Sequence, residues 1–183
     1  DLIVLGADAV ADRVRFLAAT DGTDDINATE SVDDADLVTG FETNADLISL
    51  SRVGLGLPGT GGVVNVALNG GINSGAGVVF VLNATDTLGI GSTGLTVGTD
   101  FGDFTAVQQA IADAGGLTGG TLNRTVALLI SNQESADDQC GLYLWKDSVA
   151  AGSFDVGDVL MLLAVFDGIN TVNVTSADFE LIA

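Results

Sequence analysis

A chain of 183 residues that is 47% hydrophobic can bury one sizeable core or two small ones packed together, so its formal charge of −20 does not mark a disordered acidic tail. With 21 Asp, 4 Glu, 4 Arg and a single Lys it has no basic stripe to meet phosphates, which excludes nucleic acid as an expected partner. It contains no His, so Ser-His-Asp, Cys-His and His-ligated zinc chemistry are excluded.

The acid is lopsided toward Asp, which fits turns and hard-cation sites, whereas Glu would suit solvated helices. A compact chain of one charge repels itself; calcium would offset that, and high salt would do so less specifically, as in a soluble domain from a halophile. The lone Cys140 rules out an intramolecular disulfide and reads as a buried, inert thiol, with an intermolecular bridge as the alternative. No segment approaches the roughly 18 unbroken apolar residues of a membrane-spanning helix. Beginning at Asp1 without a basic, apolar leader, the chain reads as processed or excerpted from a longer precursor.

Twenty-five Gly against one Pro, with short apolar runs between Gly, Asn, Asp and Ser, predict many short strands. In chain order these are Leu2–Leu5, Arg13–Leu17, Leu37–Gly40, Leu47–Leu50, Val63–Leu68, Gly77–Asn83, Thr125–Ser131, Leu142–Lys146, Val159–Phe166 and Phe179–Ile182. Val10–Val14 can form a turn. Gly77–Asn83 and Thr125–Ser131 are nearly continuous in apolar residues, as strands buried on both faces are. Between them Phe104, Val107, Ala110, Ile111 and Ala114 fall on one helical face, which predicts a helix over Asp103–Ala114. Asp103 or Thr105 would cap it and Gly115-Gly116 would stop it.

Within the first fifty residues Asp12, Asp36 and Asp46 each stand just ahead of an apolar run. Together with Asp21-Gly-Thr-Asp-Asp25 and Asp33-Asp34 they suggest stacked strands joined by carboxylate-bearing turns. The fold class expected is mainly β, a β-sandwich or β-roll-like stack of short strands with one helix. One domain is expected over residues 1–183: a calcium-repeat-like leading segment over 1–51, then a β-domain over 52–183 ending in a secretion-type tail.

Two clusters are candidate calcium sites, since calcium needs about six to eight oxygens and two or three Asp with backbone carbonyls suffice. The first is Asp21, Asp24, Asp25, Asp34 and Asp36, with Asp33 beside them; the second is Asp147, Asp155 and Asp158, around the turn Ser148–Gly157. The competing reading of both is solvated turn carboxylates. Asp137-Asp138 reads as plain surface. Gly56-Leu-Pro-Gly-Thr-Gly-Gly62 lacks the Lys of a phosphate-binding loop. Tyr143 and Trp145 lie two apart on a strand and share a face, as core or interface anchors. Leu160–Phe166 is either a central strand covered on both sides or one that pairs with another subunit.

Asp36-Leu-Val-Thr-Gly-Phe-Glu-Thr-Asn-Ala-Asp-Leu-Ile-Ser-Leu50 resembles the segment D-x-I-x-x-F-x-x-x-x-D-x-I-x-L, which closes the calcium repeats of RTX (repeats-in-toxin) secreted bacterial proteins. Gly141-Leu-Tyr-Leu-Trp-Lys-Asp-Ser148, Asp155–Phe166 and Val174–Ala183 are similar to the C-terminal β-domain of that family. The resemblance covers residues 1–51 and 126–183, and no intact G-G-x-G-x-D nonapeptide is present. It implies type I secretion, folding outside the cell on calcium, and a parallel β-roll or β-sandwich. Because such modules accompany proteases, lipases, adhesins and surface layers alike, it leaves the activity open.

The function expected is therefore that of an extracellular, calcium-stabilised structural protein: a surface-layer, filament or matrix subunit, forming a homo-oligomer or polymer at the cell surface, with no catalytic residues. The alternative is a non-catalytic C-terminal secretion and calcium-binding module of a larger secreted enzyme or adhesin.

Overall fold

The structure is a computed structural model, which describes residues 1–6, 8, 10–19, 35–66, 71–73, 77–82, 100–102, 104–113, 115, 117–118, 123–131, 139–148, 158–169 and 171–183. Among the described residues the protein is mainly β with one short α-helix. In chain order the strands are β1 (Leu2–Val4), β2 (Arg13–Phe16), β3 (Asp36–Thr39), β4 (Leu47–Ser51), β5 (Gly62–Val66), β6 (Ile72–Asn73) and β7 (Gly77–Leu82). The helix α1 (Phe104–Asp113) follows, then β8 (Leu117–Thr118), β9 (Thr125–Ser131), β10 (Gln139–Lys146), β11 (Val159–Asp167) and β12 (Phe179–Ile182).

All ten predicted strands are present, as is the helix, and differences are confined to their ends. The largest is β10, which begins at Gln139 rather than Leu142. The Cys140-Gly141 pair reads as a break in sequence, yet β10 is central and pairs Gln139 with Asp167. Gly141 is required there because a Cβ would stand 2.7 Å from both the Phe101 and the Tyr143 rings. The two-residue strands β6 and β8 are too short to show a period. At the helix end Gly115 takes φ +98° and its N–H reaches the Ala112 carbonyl at 2.9 Å, as predicted of the stop. Asp103 and Gly116 lie outside the described residues.

The large sheet has seven strands in the order β1-β3-β11-β10-β9-β7-β5. Its pairings are parallel except those of β10, which runs against both neighbours. A smaller sheet has the order β12-β4-β2 and is wholly parallel. The first four strands thus alternate between sheets, β1 and β3 in one, β2 and β4 in the other, making two turns of a parallel coil. Register pairs Leu2 with Leu37 and Arg13 with Leu47, so one turn takes 34–35 residues. Both predicted segments, 1–51 and 52–183, contribute strands to both sheets.

Alternation along the central strands divides the core in two. Val79, Val81, Ala127, Leu129, Cys140, Leu142 and Phe166 face one side, where Val14, Phe16, Ile48 and Leu50 of the small sheet meet them. Phe80, Leu82, Val126, Leu128, Tyr143, Trp145 and Leu162 face the other, against Phe101, Val107 and Ile111 of the helical layer. The large sheet is therefore the middle layer, which accounts for the nearly continuous apolar runs of β7 and β9. β11 lies between β3 and β10 and is a central strand, not a free edge.

Candidate functional site

The structure places three of the eight predicted calcium ligands. Asp36 opens β3, with its Oδ1 2.9 Å from the amino group of Asp1. Asp147 is buried at the end of β10, its backbone N–H bonded to the Arg124 carbonyl and its own carbonyl accepting from Asn123 at 2.6 Å. Asp158 is buried just ahead of β11. Its Oδ1 accepts from the Ser148 N–H at 2.7 Å and its Oδ2 from the Trp145 indole at 3.2 Å, so it fastens the end of β10 to the start of β11. A cation there would have to share oxygens already engaged by the protein. Asp21, Asp24, Asp25, Asp34 and Asp155 lie outside the described residues, as do Asp33 and Asp137-Asp138. Among the described residues no three His, Cys, Asp or Glu groups converge as a metal-binding set.

What the carboxylates do build is a chain of clamps at one end of the small sheet. Each of its strands follows an Ala-Asp dipeptide: Ala11-Asp12 before β2, Ala45-Asp46 before β4 and Ala177-Asp178 before β12. Asp46 is buried, and its two oxygens accept from the Asp12 N–H at 2.9 Å and the Glu42 N–H at 2.8 Å. Asp178 is fully buried; Oδ1 accepts from the Asn44 N–H, and Oδ2 from the Thr175 N–H at 2.7 Å and hydroxyl at 3.0 Å. Thr175 in return accepts from the Ala177 N–H at 3.1 Å, completing a capping box.

The clamps have a direction. Asp178, ahead of β12, holds the turn before β4, and Asp46, ahead of β4, holds the turn before β2. Asn44, at φ +65°, sits in the turn so held, a conformation Asn tolerates better than most residues. Charge-assisted bonds from backbone N–H groups to buried carboxylates are among the stronger hydrogen bonds in proteins. Sequence reading singled out Asp12 and Asp46 as residues ahead of strands but missed Asp178. The repeated Ala-Asp dipeptide is the signal that links all three.

On the outer face of this sheet Glu180 accepts from the Ser49 hydroxyl at 2.7 Å and lies 3.3 Å from the Arg13 guanidinium, two strands away. A shallow cleft of about 290 Å³ opens beside the clamped turn, lined by Phe41, Glu42, Thr43, Gly168, Ile169 and Asn173.

The aromatic pair of β10 belongs to the core. Tyr143 and Trp145 are both fully buried. The Tyr143 hydroxyl donates to the Phe101 carbonyl at 2.7 Å, and burial, with Cys140 beside it, holds that hydroxyl well above its ordinary pKa. Cys140 is buried and its thiol reaches the Ile169 carbonyl at 3.1 Å. No helix among the described residues is long and apolar enough to cross a membrane.

No family model, curated protein or solved structure matches the chain.

Proposed function

We propose that this chain is an extracellular structural protein, a self-assembling subunit of a surface layer, filament or matrix, stabilised by calcium. The observation that carries the reading is the pair of parallel coil turns β1–β2 and β3–β4, whose first turn forms an edge in both sheets. A parallel coil adds turns by repeating one backbone pairing, so it is a scaffold suited to extension by strand addition. The sequence around it contains no His, and its buried aspartates hold turns together.

Calcium is assigned to the connection between β2 and β3, with Asp21, Asp24, Asp25 and Asp34 and with Asp36 at its end, and to Asp155 between β10 and β11. Asp147 and Asp158, at the two ends of that connection, are assigned to the same second site as ligands. Cations there would lower the self-repulsion of a chain of charge −20.

The test is far-UV circular dichroism and sedimentation in EDTA, then with calcium, and with magnesium as control. The reading expects calcium alone to raise ordered structure and drive the chain into larger species. A chain equally folded and equally assembled in EDTA overturns the calcium assignment. A chain that stays monomeric at every concentration in calcium overturns the assembly.

A further inference from the structure

The small sheet has two edges, β12 and β2, and because all its strands are parallel the two edges face in the same chain direction. Its rows run straight across. Phe179, Ile48 and Val14 form one inward row, and Leu181, Leu50 and Phe16 form another. Glu180, Ser49 and Arg15 form the outward row between them. The outer edge therefore ends in exposed Arg13 and Arg15, two of the five cations in a chain of charge −20, while the opposite edge ends in half-buried Glu180. Glu180 already meets Arg13 across the sheet, whereas Arg15 makes no ion pair among the described residues.

The clamps stop at the same place. Asp178 serves the turn before β4 and Asp46 the turn before β2, but among the described residues the Asp12 carboxylate accepts no hydrogen bond. Val10 and Leu17, on either side of β2 in the chain, are exposed. Among the described residues no strand pairs with the outer side of β2, and an unpaired strand edge is a template for another strand.

We propose that this edge is a joint between copies of the chain: β2 of one molecule receives β12 of the next, in parallel, so that the small sheet continues head to tail. The inference rests on the assembly reading above and specifies its geometry. Repeating the internal register places Val14 beside Phe179 of the second copy, Phe16 beside its Leu181 and Arg15 beside its Glu180. Inward rows stay apolar and the outward row places a cation next to a carboxylate. Asp12 then faces the turn before the incoming β12, in the position that Asp46 occupies toward β2. The rival arrangement, two β2 strands meeting across a twofold axis, fails on charge. Every antiparallel register that keeps Val14 and Phe16 inward sets Arg13 or Arg15 opposite another Arg or leaves both unpaired. A heterologous joint of this kind does not close on itself and yields a filament.

The experiment uses the full chain with Arg15→Cys, Glu180→Cys and the double variant, oxidised under conditions where the wild type assembles, with circular dichroism confirming that each is folded. Neighbouring parallel strands lie about 4.8 Å apart, within disulfide reach, whereas Arg15 and Glu180 of one molecule are two strands apart. Cross-linked dimers are expected only when the two single variants are mixed, and a ladder of multimers from the double variant. As a second measurement, Arg15→Glu, at an exposed site, should raise the concentration for half assembly at least about ten-fold. Restoration on mixing with Glu180→Arg would support the joint. Cross-linking of Arg15→Cys with itself overturns the proposal, as does a wild type that polymerises while the mixed variants never cross-link. In both cases assembly itself stands. A wild type that sediments as a monomer throughout removes the assembly reading and this joint with it.

Discussion

In β7, β9 and β10 nearly every side chain is buried, on both faces of the sheet, whereas β2 and β12 bury alternate residues or only their first. The central strands are held by apolar area, at about 1.5–3 kcal/mol for each large side chain taken fully out of water. The small sheet has less of that area, and at its start buried carboxylates bind the backbone N–H groups of adjacent turns. Apolar burial tolerates a change of shape better than a change of volume, because it has no direction. A carboxylate clamp tolerates neither loss of its charge nor a shift of its turn, because its bonds are directional. The same excess of Asp that suggests metal sites in sequence thus has a second use, as the fastening of the turns that lead into the small sheet.

Three measurements sharpen or break this contrast. Trp145→Ala should show the largest effect, about 3–5 kcal/mol in a urea titration, because it empties a fully buried site and removes the indole donor of Asp158. Asp46→Ala should cost about 1.5–3 kcal/mol by the same assay, since two backbone N–H groups lose a charged acceptor. Asp46→Asn, which keeps one carbonyl oxygen, should recover only part of that loss. If both Asp46 variants match the wild type, the clamps are incidental and the small sheet is held by packing alone.

The smallest change concerns one proton. Tyr143 is the single Tyr of the chain, and burial raises its pKa above the value near 10 that it has when unfolded. Below that pH both states keep the proton. Above it the unfolded state loses the proton first, so stability falls as pH rises until the folded hydroxyl itself ionises. Phenolate absorbance followed during alkaline titration should therefore appear together with loss of far-UV circular dichroism. Phenolate forming near pH 10 in a chain that keeps its structure would show that the β10 core admits water.

Strand positions were legible because apolar runs bounded by Gly, Asn and Asp report local burial, and Thr125–Ser131 and Phe179–Ile182 agree with the structure to the residue. The helix was legible for the same reason, its apolar residues recurring on one face. The start of β10 was not, since whether Gly141 lies inside a strand depends on Phe101, forty positions away in sequence. The site was legible only in part. An Asp ahead of a strand can be seen in sequence, but whether it binds a cation, solvent or a neighbouring N–H depends on what the next turn of chain brings to it. Asp158 and Asp178 differ little in sequence from an exposed turn residue, yet both are buried and fully engaged.

By itself the sequence determined the class of fold, the number and place of the longer strands, the single helix and the exclusion of histidine chemistry, because each depends on composition or on a period of two or 3.6 residues. Only the tertiary structure decided which strands share a sheet, that all but β10 run parallel in the large one, and which aspartates are buried. Strand order and partner choice come from contacts between residues far apart along the chain, and a local pattern carries no record of what lies across from it.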